Sequence, residues 1–530
     1  MMRILFISYL TILTFNNVNC SRILALFPHT GKSHHMVFEP LLKTLIERGH
    51  NVTVASIFPV NVPPEKITEI SLKGIAEEGV ETIDLAEYSE RNVFLRLIGL
   101  DDIVQQIECL SVLADMALDT CTKLMNWPTL KKALRNEYDV VLVENFNTDC
   151  MLGLLHVYEI KAPVIALLSS YLMPWSAERI GLTENFSYMP VLTSAFKNPN
   201  TFIERLESTV MNYYFKFWYR YAIQIKEQEI IEKYFGRKIV DLNDLAKNTT
   251  LMMMNTFHSL NGVKPLLPGL VEVGGMHVDE TKKYIPPYIE KFLNESEHGV
   301  ILLSFGSLIK TSTIPKYKEE IIIRVLSKFK QRVIWKYEDS DEEGTLVGNI
   351  LKVRWIPQYE LLKHKKVLAF IGHGGLLGMT EAVSVGKPMV VVPFYGDQPT
   401  NAAAAASIGF AKKISYADIN DDTLFEAVQS VLSAEMRLSA RLVSKMWHDR
   451  QSKPLDTAVY WVERVIRWGH KDPLHSPARD LNFIQLSLLD VGAALAVILI
   501  VLVLILKAIL LLILRVIKVS FNVNVKEKKH

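Results

Sequence analysis

Residues 22–58 read RILALFPHTGKSHHMVFEPLLKTLIERGHNVTVASIF. The apolar run RILALF predicts a strand, and a turn that contains Gly31 follows it. FEPLLKTLIERGH has apolar residues at helical spacing and ends near a glycine, which predicts a helix. NVTVASIF predicts the next strand. This strand–loop–helix–strand order indicates a parallel sheet covered by helices.

The same order recurs beyond a cluster of proline and glycine at residues 266–277, which predicts a linker or a domain boundary. VILLSFGSL, RVIWKY, ILKVRWIPQ, VLAFIGH and PMVVVPF predict short strands with helical segments between them. We therefore expect an α/β fold with two Rossmann-like domains facing a cleft, at residues 21–262 and 263–452. Residues 453–487 predict a helical segment that returns from the second domain.

The composition indicates a folded chain that does not bind nucleic acid. Hydrophobic residues make up 49% of the 530 residues and charged residues 22%, so most of the chain is expected to fold. The net charge is +2, whereas a nucleic-acid partner requires a strongly basic domain or stripe.

Both ends of the chain carry membrane-targeting patterns. Residues 1–20 have one arginine before an apolar stretch and small residues after it, which predicts a signal peptide; a first buried strand is the alternative. Residues 491–514 are apolar over a length that spans a bilayer as a helix, despite Lys507 within the run, and we expect the transmembrane helix at residues 488–514.

The charges around this span predict its orientation. Asp490 precedes it, whereas Arg515, Lys518 and a lysine-rich tail follow it. The positive-inside rule places residues 515–530 in the cytosol and the bulk of the chain in a lumen. Lys526 and Lys528 have the spacing of a dilysine signal for retrieval to the endoplasmic reticulum; a basic flank held by anionic lipid is the alternative.

Glycosylation sequons and cysteines agree weakly with a lumenal location. Four Asn-X-Ser/Thr triplets begin at Asn51, Asn185, Asn248 and Asn294. Removal of the signal peptide leaves Cys109, Cys121 and Cys150. One disulfide and one free thiol are compatible with this count, and the sequence leaves the pairing open.

Residues 370–382, FIGHGGLLGMTEA, predict a binding site. If VLAFI is a strand and LLGMTEAVSVG a helix, His373, Gly374 and Gly375 form the loop at the strand's carboxyl end, where open α/β sheets bind ligands. Glycines and a helix start suit an anion, most plausibly a pyrophosphate. A tight turn with a hydrogen-bonded histidine is the alternative. Neither GxGxxG nor GxxxxGK[ST] is present, which disfavours Walker-type ATP binding.

Further polar and aromatic side chains follow the neighbouring predicted strands. A tryptophan offers a flat face for a base, amides and carboxylates hold hydroxyl groups, and a serine after a glycine caps a phosphate. The candidates are Ser307, Trp355, Gln358, Glu381, Asp397 and Gln398.

From Trp355 to Gln398 the chain resembles the nucleotide-sugar signature of UDP-glycosyltransferases. The similarity extends over nearly the whole chain, and SHHMVFEPL is most similar to arthropod members of the membrane-bound animal type. The resemblance implies a GT-B fold, with UDP-sugar on the second domain and acceptor on the first. One departure is Leu377, where many animal members have an asparagine that contacts the donor.

The resemblance also implies the role of each donor residue. Trp355 would stack on uracil, Gln358 and Glu381 would hold uracil or ribose, Ser307 and His373 the diphosphate, and Asp397 and Gln398 the sugar.

The catalytic base is expected in HTGKSHH, after the first strand. The family uses a histidine in a Ser-His-aromatic-Met turn, and Ser33-His34-His35-Met36 places His34 there, with His35 as the residue most easily confused with it. A carboxylate should orient the imidazole. YDVVLVENFNTDC supplies Glu144 and Asp149, and the shorter side chain favours Asp149.

The expected activity is hexosyl transfer from a UDP-sugar to small lipophilic acceptors, with inversion. The arthropod resemblance favours glucose, although Lys264 leaves an acidic sugar open. No metal is implied, because there is no Asp-x-Asp ahead of a phosphate site and no HExxH or CxxC. No cofactor is implied either, because the UDP-sugar is a co-substrate. Expected partners are the UDP-sugar donor, the lipophilic acceptor and a lipid bilayer. A homo-oligomer and a hetero-oligomer both stay open. The rival hypotheses are a non-catalytic binder of lipophiles or UDP-sugar, and a glycolipid-synthesising transferase.

Overall fold

The computed structural model describes residues 20–76, 78–79, 82–86, 101–278 and 284–527. The predicted signal peptide and the last lysines of the tail lie outside these residues. Within them the chain divides into two compact units at His475 and Ser476. The first unit contains both predicted α/β lobes, and the second contains the apolar C-terminal helix.

The first lobe is built on a seven-stranded parallel sheet in the order β3-β2-β1-β5-β6-β7-β8. The strands of this lobe are β1 Arg22–Phe27, β2 Asn51–Ser56, β3 Thr68–Ser71, β4 Ile83–Asp84, β5 Val140–Glu144, β6 Val164–Leu168, β7 Thr249–Met254 and β8 Leu270–Glu272. Most residues of the central strands are buried, as expected for a sheet covered on both faces.

The second lobe repeats the architecture with the order β12-β13-β11-β9-β14-β15-β16, parallel except for β12. Its strands are β9 Val300–Ser304, β10 Ile309–Lys310, β11 Arg332–Lys336, β12 Thr345–Val347, β13 Ile350–Val353, β14 Val367–Gly372, β15 Met389–Val391 and β16 Ala411–Lys413. β10 leaves this sheet and pairs in parallel with β4 of the first lobe.

Helices cover both sheets. In the first lobe and its connections they are α1 Lys32–Glu47, α2 Asp101–Leu124, α3 Pro128–Ala133, α4 Cys150–Val157, α5 Phe202–Trp218, α6 Ile225–Phe235, α7 Leu242–Ala246 and α8 His258–Asn261. In the second lobe they are α9 Pro287–Asn294, α10 Lys316–Leu326, α11 Gln358–Lys363, α12 Leu376–Ser384, α13 Gln398–Ser407, α14 Asp421–Leu432 and α15 Ala434–His448.

The boundary between the lobes lies further along the chain than the sequence predicted. Residues 266–277 were expected to be a linker or a domain boundary, and residue 262 the end of the first domain. Instead, β8 is the edge strand of the first sheet and pairs with β7. Proline and glycine surround this short strand, so composition alone hides it.

The predicted return segment, residues 453–487, is divided between the two units. Helix α16, Pro454–Trp468, buries Ala458, Val462 and Val465 in the core of the first lobe, against residues of α1 and β5. It therefore brings the chain back from the second lobe to the first.

The second unit holds helices α17, Phe483–Leu486, and α18, Leu489–Glu527. Within α18, Leu489–Val519 is long enough to cross a membrane, and an 18-residue window inside it has a mean hydropathy of 3.5. This fits the predicted span at residues 488–514, and the helix continues past it.

Helix α5 has two apolar faces. Met211 and Phe215 pack into the core of the first lobe, whereas Phe202, Val210 and Phe217 lie on the opposite side and are mostly exposed. The aromatic segment at residues 186–235 is therefore a packed helical subdomain that also presents apolar side chains at the surface.

The disulfide left open by the sequence joins Cys121 of α2 to Cys150 of α4, with a sequence separation of 29. Both residues are fully buried. The side chain of Cys109 lies outside the described atoms.

Candidate active site

The loop after β1 and the start of α1 bring His34 to the carboxyl edge of the first sheet. Its Nδ1 lies 2.7 Å from Oε1 of Glu144, the last residue of β5. β1 and β5 are neighbours in the sheet, so their carboxyl ends meet. A carboxylate only accepts hydrogen bonds, so the Nδ1–H of neutral His34 donates to Glu144, and Nε2 keeps its lone pair, 3.3 Å from Oγ of Ser169.

Burial sets the protonation of this pair. Glu144 is 3% exposed, and burial raises the pKa of its carboxyl group. Burial also lowers the pKa of His34 to about 4, so the imidazole is neutral at physiological pH. His35 points elsewhere: it is buried, and its ring packs against Phe27 and Phe58.

The preference for Asp149 as the orienting carboxylate is wrong. Asp149 is fully buried and forms a two-point ion pair with Arg179, at 2.7 and 2.8 Å. Its Oδ2 also accepts a hydrogen bond of 2.7 Å from Nε2 of Gln224. A buried guanidinium requires such an anion, so Asp149 is committed to the interior of the lobe. Of the two candidates, Glu144 contacts His34.

Three side chains around His34 were missed in the sequence. His29 stacks on His34 with ring centroids 4.0 Å apart and an interplanar angle of 8°. Phe146 meets both imidazoles edge-on. Ser169, directly after β6, places Oγ 3.1 Å from Nδ1 of His34. The stretch HTGKSHH contains His29, but the stacking of His29 on His34 depends on the shape of the turn.

His29, His34 and Glu144 also place potential metal ligands within 4.8 Å of one another. A metal ion lies in the plane of each imidazole that binds it. The two rings are stacked and nearly parallel, so one ion cannot lie in both planes. This arrangement favours a hydrogen-bonded acid–base pair over a metal centre.

His373 lies at the carboxyl end of β14 in the second lobe, in a recess formed by two glycines. A Cβ on Gly375 would lie 2.4 Å from Nε2 of His373, and one on Gly306 would lie 2.7 Å from its Cε1. Gly375 is the N-cap of α12, so the imidazole sits beside unpaired backbone N–H groups. Ser307 follows Gly306 directly and is partly exposed.

The predicted base and ribose residues lie at the end of β13. Trp355 is 51% exposed and offers an accessible ring face. Gln358 donates a hydrogen bond of 2.6 Å to Oε2 of Glu381, which joins the start of α11 to the second turn of α12. The sequence predicted that Gln358 and Glu381 bind the same part of the donor, and the structure brings these two side chains together.

Asp397 and Gln398 follow β15, next to Gly374. Asn401 donates to Oδ2 of Asp397 at 2.9 Å and to the carbonyl oxygen of Gly374 at 3.1 Å. Burial raises the pKa of Asp397 to about 6. Gln398 is 3% exposed, and its Oε1 accepts from the backbone N–H of Phe394, so the amide also holds its own loop in place.

Leu377, the departure from the family pattern, contacts the other lobe. Its side chain packs against the apolar core of the first lobe. Its carbonyl oxygen lies 3.3 Å from Nε2 of His277. An apolar residue at this position thus stabilises the junction between the lobes.

Hydrogen bonds join the two lobes directly. Ile83 donates its N–H to the carbonyl oxygen of Leu308 where β4 meets β10. The hydroxyl of Thr400 in α13 donates to a backbone carbonyl at Leu192. Catalytic-turn residues and donor-side residues therefore lie on opposite sides of one interlobe boundary.

Solved structures with the same architecture show which fold this is. The chain is similar to CalG4, the calicheamicin glycosyltransferase, with a TM-score of 0.55 at 15% identity over 85% of this chain and 100% of that chain. The glycosyltransferase of kitacinnamycin gives a TM-score of 0.54 at 18% identity over 84% of this chain and 98% of that chain. The fold is that of GT-B glycosyltransferases, which confirms the predicted fold class.

The family follows from the sequence. The model of the family described as UDP-glucoronosyl and UDP-glucosyl transferase matches residues 23–523, and the chain belongs to this family of UDP-glycosyltransferase enzymes. UDP-glucosyltransferase 2 of Dactylopius coccus is 34% identical over 90% of each chain. UDP-glucuronosyltransferase 2B1 of Rattus norvegicus is 29% identical over 89% of each chain.

Proposed function

We propose that this enzyme transfers glucose from UDP-glucose to a hydroxyl group of small lipophilic acceptors, with inversion at the anomeric carbon. The observation that carries the proposal is the His34–Glu144 pair at 2.7 Å, in which Glu144 is buried and His34 is partly buried, at an edge that faces the donor side of the second lobe. A neutral histidine oriented by a carboxylate is the arrangement that deprotonates an alcohol near neutral pH.

In the proposed reaction Nε2 of His34 takes the acceptor's hydroxyl proton while the oxygen attacks the anomeric carbon. The bond from that carbon to the diphosphate breaks on the opposite face, and its electron pair stays with UDP. Glu144 stabilises the imidazolium that forms. A single displacement of this kind inverts the anomeric centre and requires no covalent sugar–enzyme intermediate.

The donor residues take the roles that the family resemblance implies. Trp355 stacks on uracil, Gln358 and Glu381 hold uracil or ribose, and Asp397 and Gln398 bind the sugar. Ser307, His373 and the N–H groups at Gly374 and Gly375 contact the diphosphate. The recess around His373 supports this role, because only residues without a Cβ leave room for the imidazole there. The proposal uses no cofactor beyond the UDP-sugar as co-substrate.

Glucose is preferred over glucuronic acid for two reasons. The relative at 34% identity is named a glucosyltransferase, whereas the rat relative named a glucuronosyltransferase is 29% identical. Lys264, the residue that left an acidic sugar open, places Nζ 3.4 Å from the ring centroid of Tyr171 in the first lobe. Its ammonium group is thus engaged with an aromatic ring on the acceptor lobe.

Lipophilic acceptors are supported by the apolar surroundings of the first lobe. Segments near residues 100–125 and 170–225 pack into one apolar cluster that includes Leu110, Met173 and Phe215. Thr30 of the catalytic turn touches Met116 of α2, so this apolar region reaches the turn.

We further propose a type I membrane protein of the endoplasmic reticulum with both lobes in the lumen. The sequon residues Asn51, Asn185, Asn248 and Asn294 are all exposed. The Cys121–Cys150 disulfide fits an oxidising compartment, and the apolar helix α18 fits an anchor. To test this, the protein is treated with an endoglycosidase that cleaves high-mannose N-glycans. We expect its apparent mass to decrease.

The activity is tested by mass spectrometry of products from membranes that contain the protein, supplied with UDP-glucose, UDP-glucuronic acid or UDP-galactose and one simple phenol. We expect the mass of a phenyl glucoside, and the β-anomer by NMR. A glucuronide as main product would contradict the choice of sugar. UDP binding without any product would favour the non-catalytic binder, and a panel of steroids, flavonoids and ceramide separates small acceptors from glycolipid synthesis.

A further inference from the structure

The proposed function leaves one electrostatic requirement unmet in the second lobe. A UDP leaving group gains negative charge as its bond to the sugar breaks, and that charge must be stabilised. The donor residues inferred above include two acidic side chains, Glu381 and Asp397. Burial, reinforced by the nearby charge of Lys336, lowers the pKa of His373 to about 4, so this histidine is neutral at pH 7. The set therefore supplies no cationic side chain.

Two lysines lie near the ring of Trp355, and they differ in their pairing. Nζ of Lys336 is 5.7 Å from the ring centroid and 2.6 Å from Oε1 of Glu338. Both members of that ion pair are at least nine-tenths buried. Its positive charge is already compensated, so Lys336 contributes little net charge to a ligand.

Lys32 comes from the other lobe and keeps its charge available. It is the first residue of α1, and its Nζ lies 5.3 Å from the Trp355 ring centroid. Across the described part of the chain, its ammonium makes no hydrogen bond and no ion pair, and the aromatic face is its contact. A cation over a tryptophan face is held weakly when exposed to water, and an anion nearby replaces that contact at little cost.

We propose that Lys32 binds the diphosphate of the UDP-sugar and stabilises the UDP leaving group from across the interlobe boundary. This inference rests on the proposed function, because uracil on Trp355 sets the position of the diphosphate one ribose away. The stacked base takes the ring face that the ammonium occupies, and the long flexible side chain turns to the adjacent phosphate oxygens. Lys32 remains protonated throughout: the acceptor's proton goes to His34, and the electron pair of the broken bond goes to the phosphate oxygen.

The position of Lys32 links the two halves of the reaction. Lys32 and His34 lie two residues apart in the first turn of one helix. An approach of this turn to the second lobe moves both residues, and Lys32 already contacts Trp355 of that lobe. The first lobe thus carries both the group that removes the proton and a charge that helps UDP to leave.

The experiment compares how UDP and uridine bind to the full-length wild-type enzyme and to Lys32→Met, Lys32→Arg and Lys43→Met. Uridine lacks the diphosphate, so its binding reports contacts to the base and ribose alone. Lys43 lies on the same helix and pairs with Glu39, which makes it a matched control for removal of a lysine. Binding is measured by titration calorimetry, kcat by UDP release, and folding by thermal melting.

We expect Lys32→Met to weaken UDP binding on the order of tenfold to hundredfold and uridine binding less than about twofold. Arginine should restore most of the affinity for UDP, and Lys43→Met should match the wild type. Equal affinities for UDP in Lys32→Met and wild type would overturn the inference. So would an equal weakening of UDP and uridine, since that result assigns Lys32 to the base. Absence of UDP binding to the wild type would instead contradict the proposed function itself.

Discussion

Replacement of Glu144 by glutamine should abolish most of the turnover while the protein stays folded. As His34 takes a proton it becomes a cation 2.7 Å from the Glu144 carboxylate. At an effective dielectric constant of about 20, the attraction between two unit charges at that separation is roughly 6 kcal/mol. Glutamine keeps the size and one acceptor oxygen, so we expect a loss of about 3–5 kcal/mol in transition-state stabilisation. This corresponds to a decrease in kcat of roughly 10²–10⁴.

The assay measures UDP release under saturating substrates for Glu144→Gln and for Asp149→Asn, with thermal unfolding of each protein. Asp149→Asn leaves the buried Arg179 guanidinium without its anion, which should lower the free energy of unfolding by about 3–5 kcal/mol. Its kcat per folded molecule should fall far less than that of Glu144→Gln. Full turnover by a folded Glu144→Gln enzyme, or a larger loss of kcat in folded Asp149→Asn, would refute the assignment.

Three further predictions follow from the geometry. Gly375→Ala places a Cβ 2.4 Å from Nε2 of His373, so the imidazole must move. The KM for UDP-sugar should then rise about tenfold with little change in melting temperature. An unchanged KM would count against a role of His373 in binding the diphosphate. The double variant Cys121→Ala/Cys150→Ala removes a cross-link with a sequence separation of 29. Denaturant titrations should show that its free energy of unfolding is lower by about 3–4 kcal/mol. Equal stability of the wild type with and without reductant would argue against this disulfide. The base His34 must be neutral to act and burial lowers its pKa to about 4, so kcat/KM should stay level between about pH 6 and 8 and be lost as pH falls through a midpoint below 6.5; a midpoint at or above 6.5 would contradict a buried base.

The fold was largely predictable from the sequence because its signals are local. Apolar runs such as residues 22–27 and 367–372 form strands, and the helical spacing after each predicts the helix that covers the sheet. The placement of His373 and Asp397 at one edge also followed from local information, since His373 directly follows β14, Asp397 lies in the loop after β15, and the carboxyl ends of parallel strands share one edge. β8 was missed because a strand of three residues between glycines has no periodicity to detect.

The choice between Glu144 and Asp149 required information that spacing does not carry. Both follow one strand, and side-chain length favoured Asp149. The deciding factor is Arg179, which lies 30 residues beyond Asp149 and satisfies its carboxylate inside the lobe. The buried guanidinium of Arg179 has to pair with a carboxylate, because an unpaired guanidinium in the interior is costly. This ion pair, and not the length of the Asp149 side chain, decides where Asp149 lies. The contact between Lys32 and Trp355 was likewise hidden, since it exists only when the two lobes are assembled.

The short turn HTGK explains why the acceptor side of the site is arranged as it is. His29 accepts a hydrogen bond of 2.9 Å on Nδ1 from the N–H of Gly31, which fixes its ring against that of His34. A Cβ at position 31 would lie 2.9 Å from Cε1 of His29, so any other residue there would disturb the stack. With its ring plane held by His29 and its Nδ1 held by Glu144, His34 has little freedom left, which is the condition for directing Nε2 at one acceptor oxygen. Gly31 is also the N-cap of α1, which begins at Lys32. The turn that orients His34 therefore also directs Lys32 towards the other lobe.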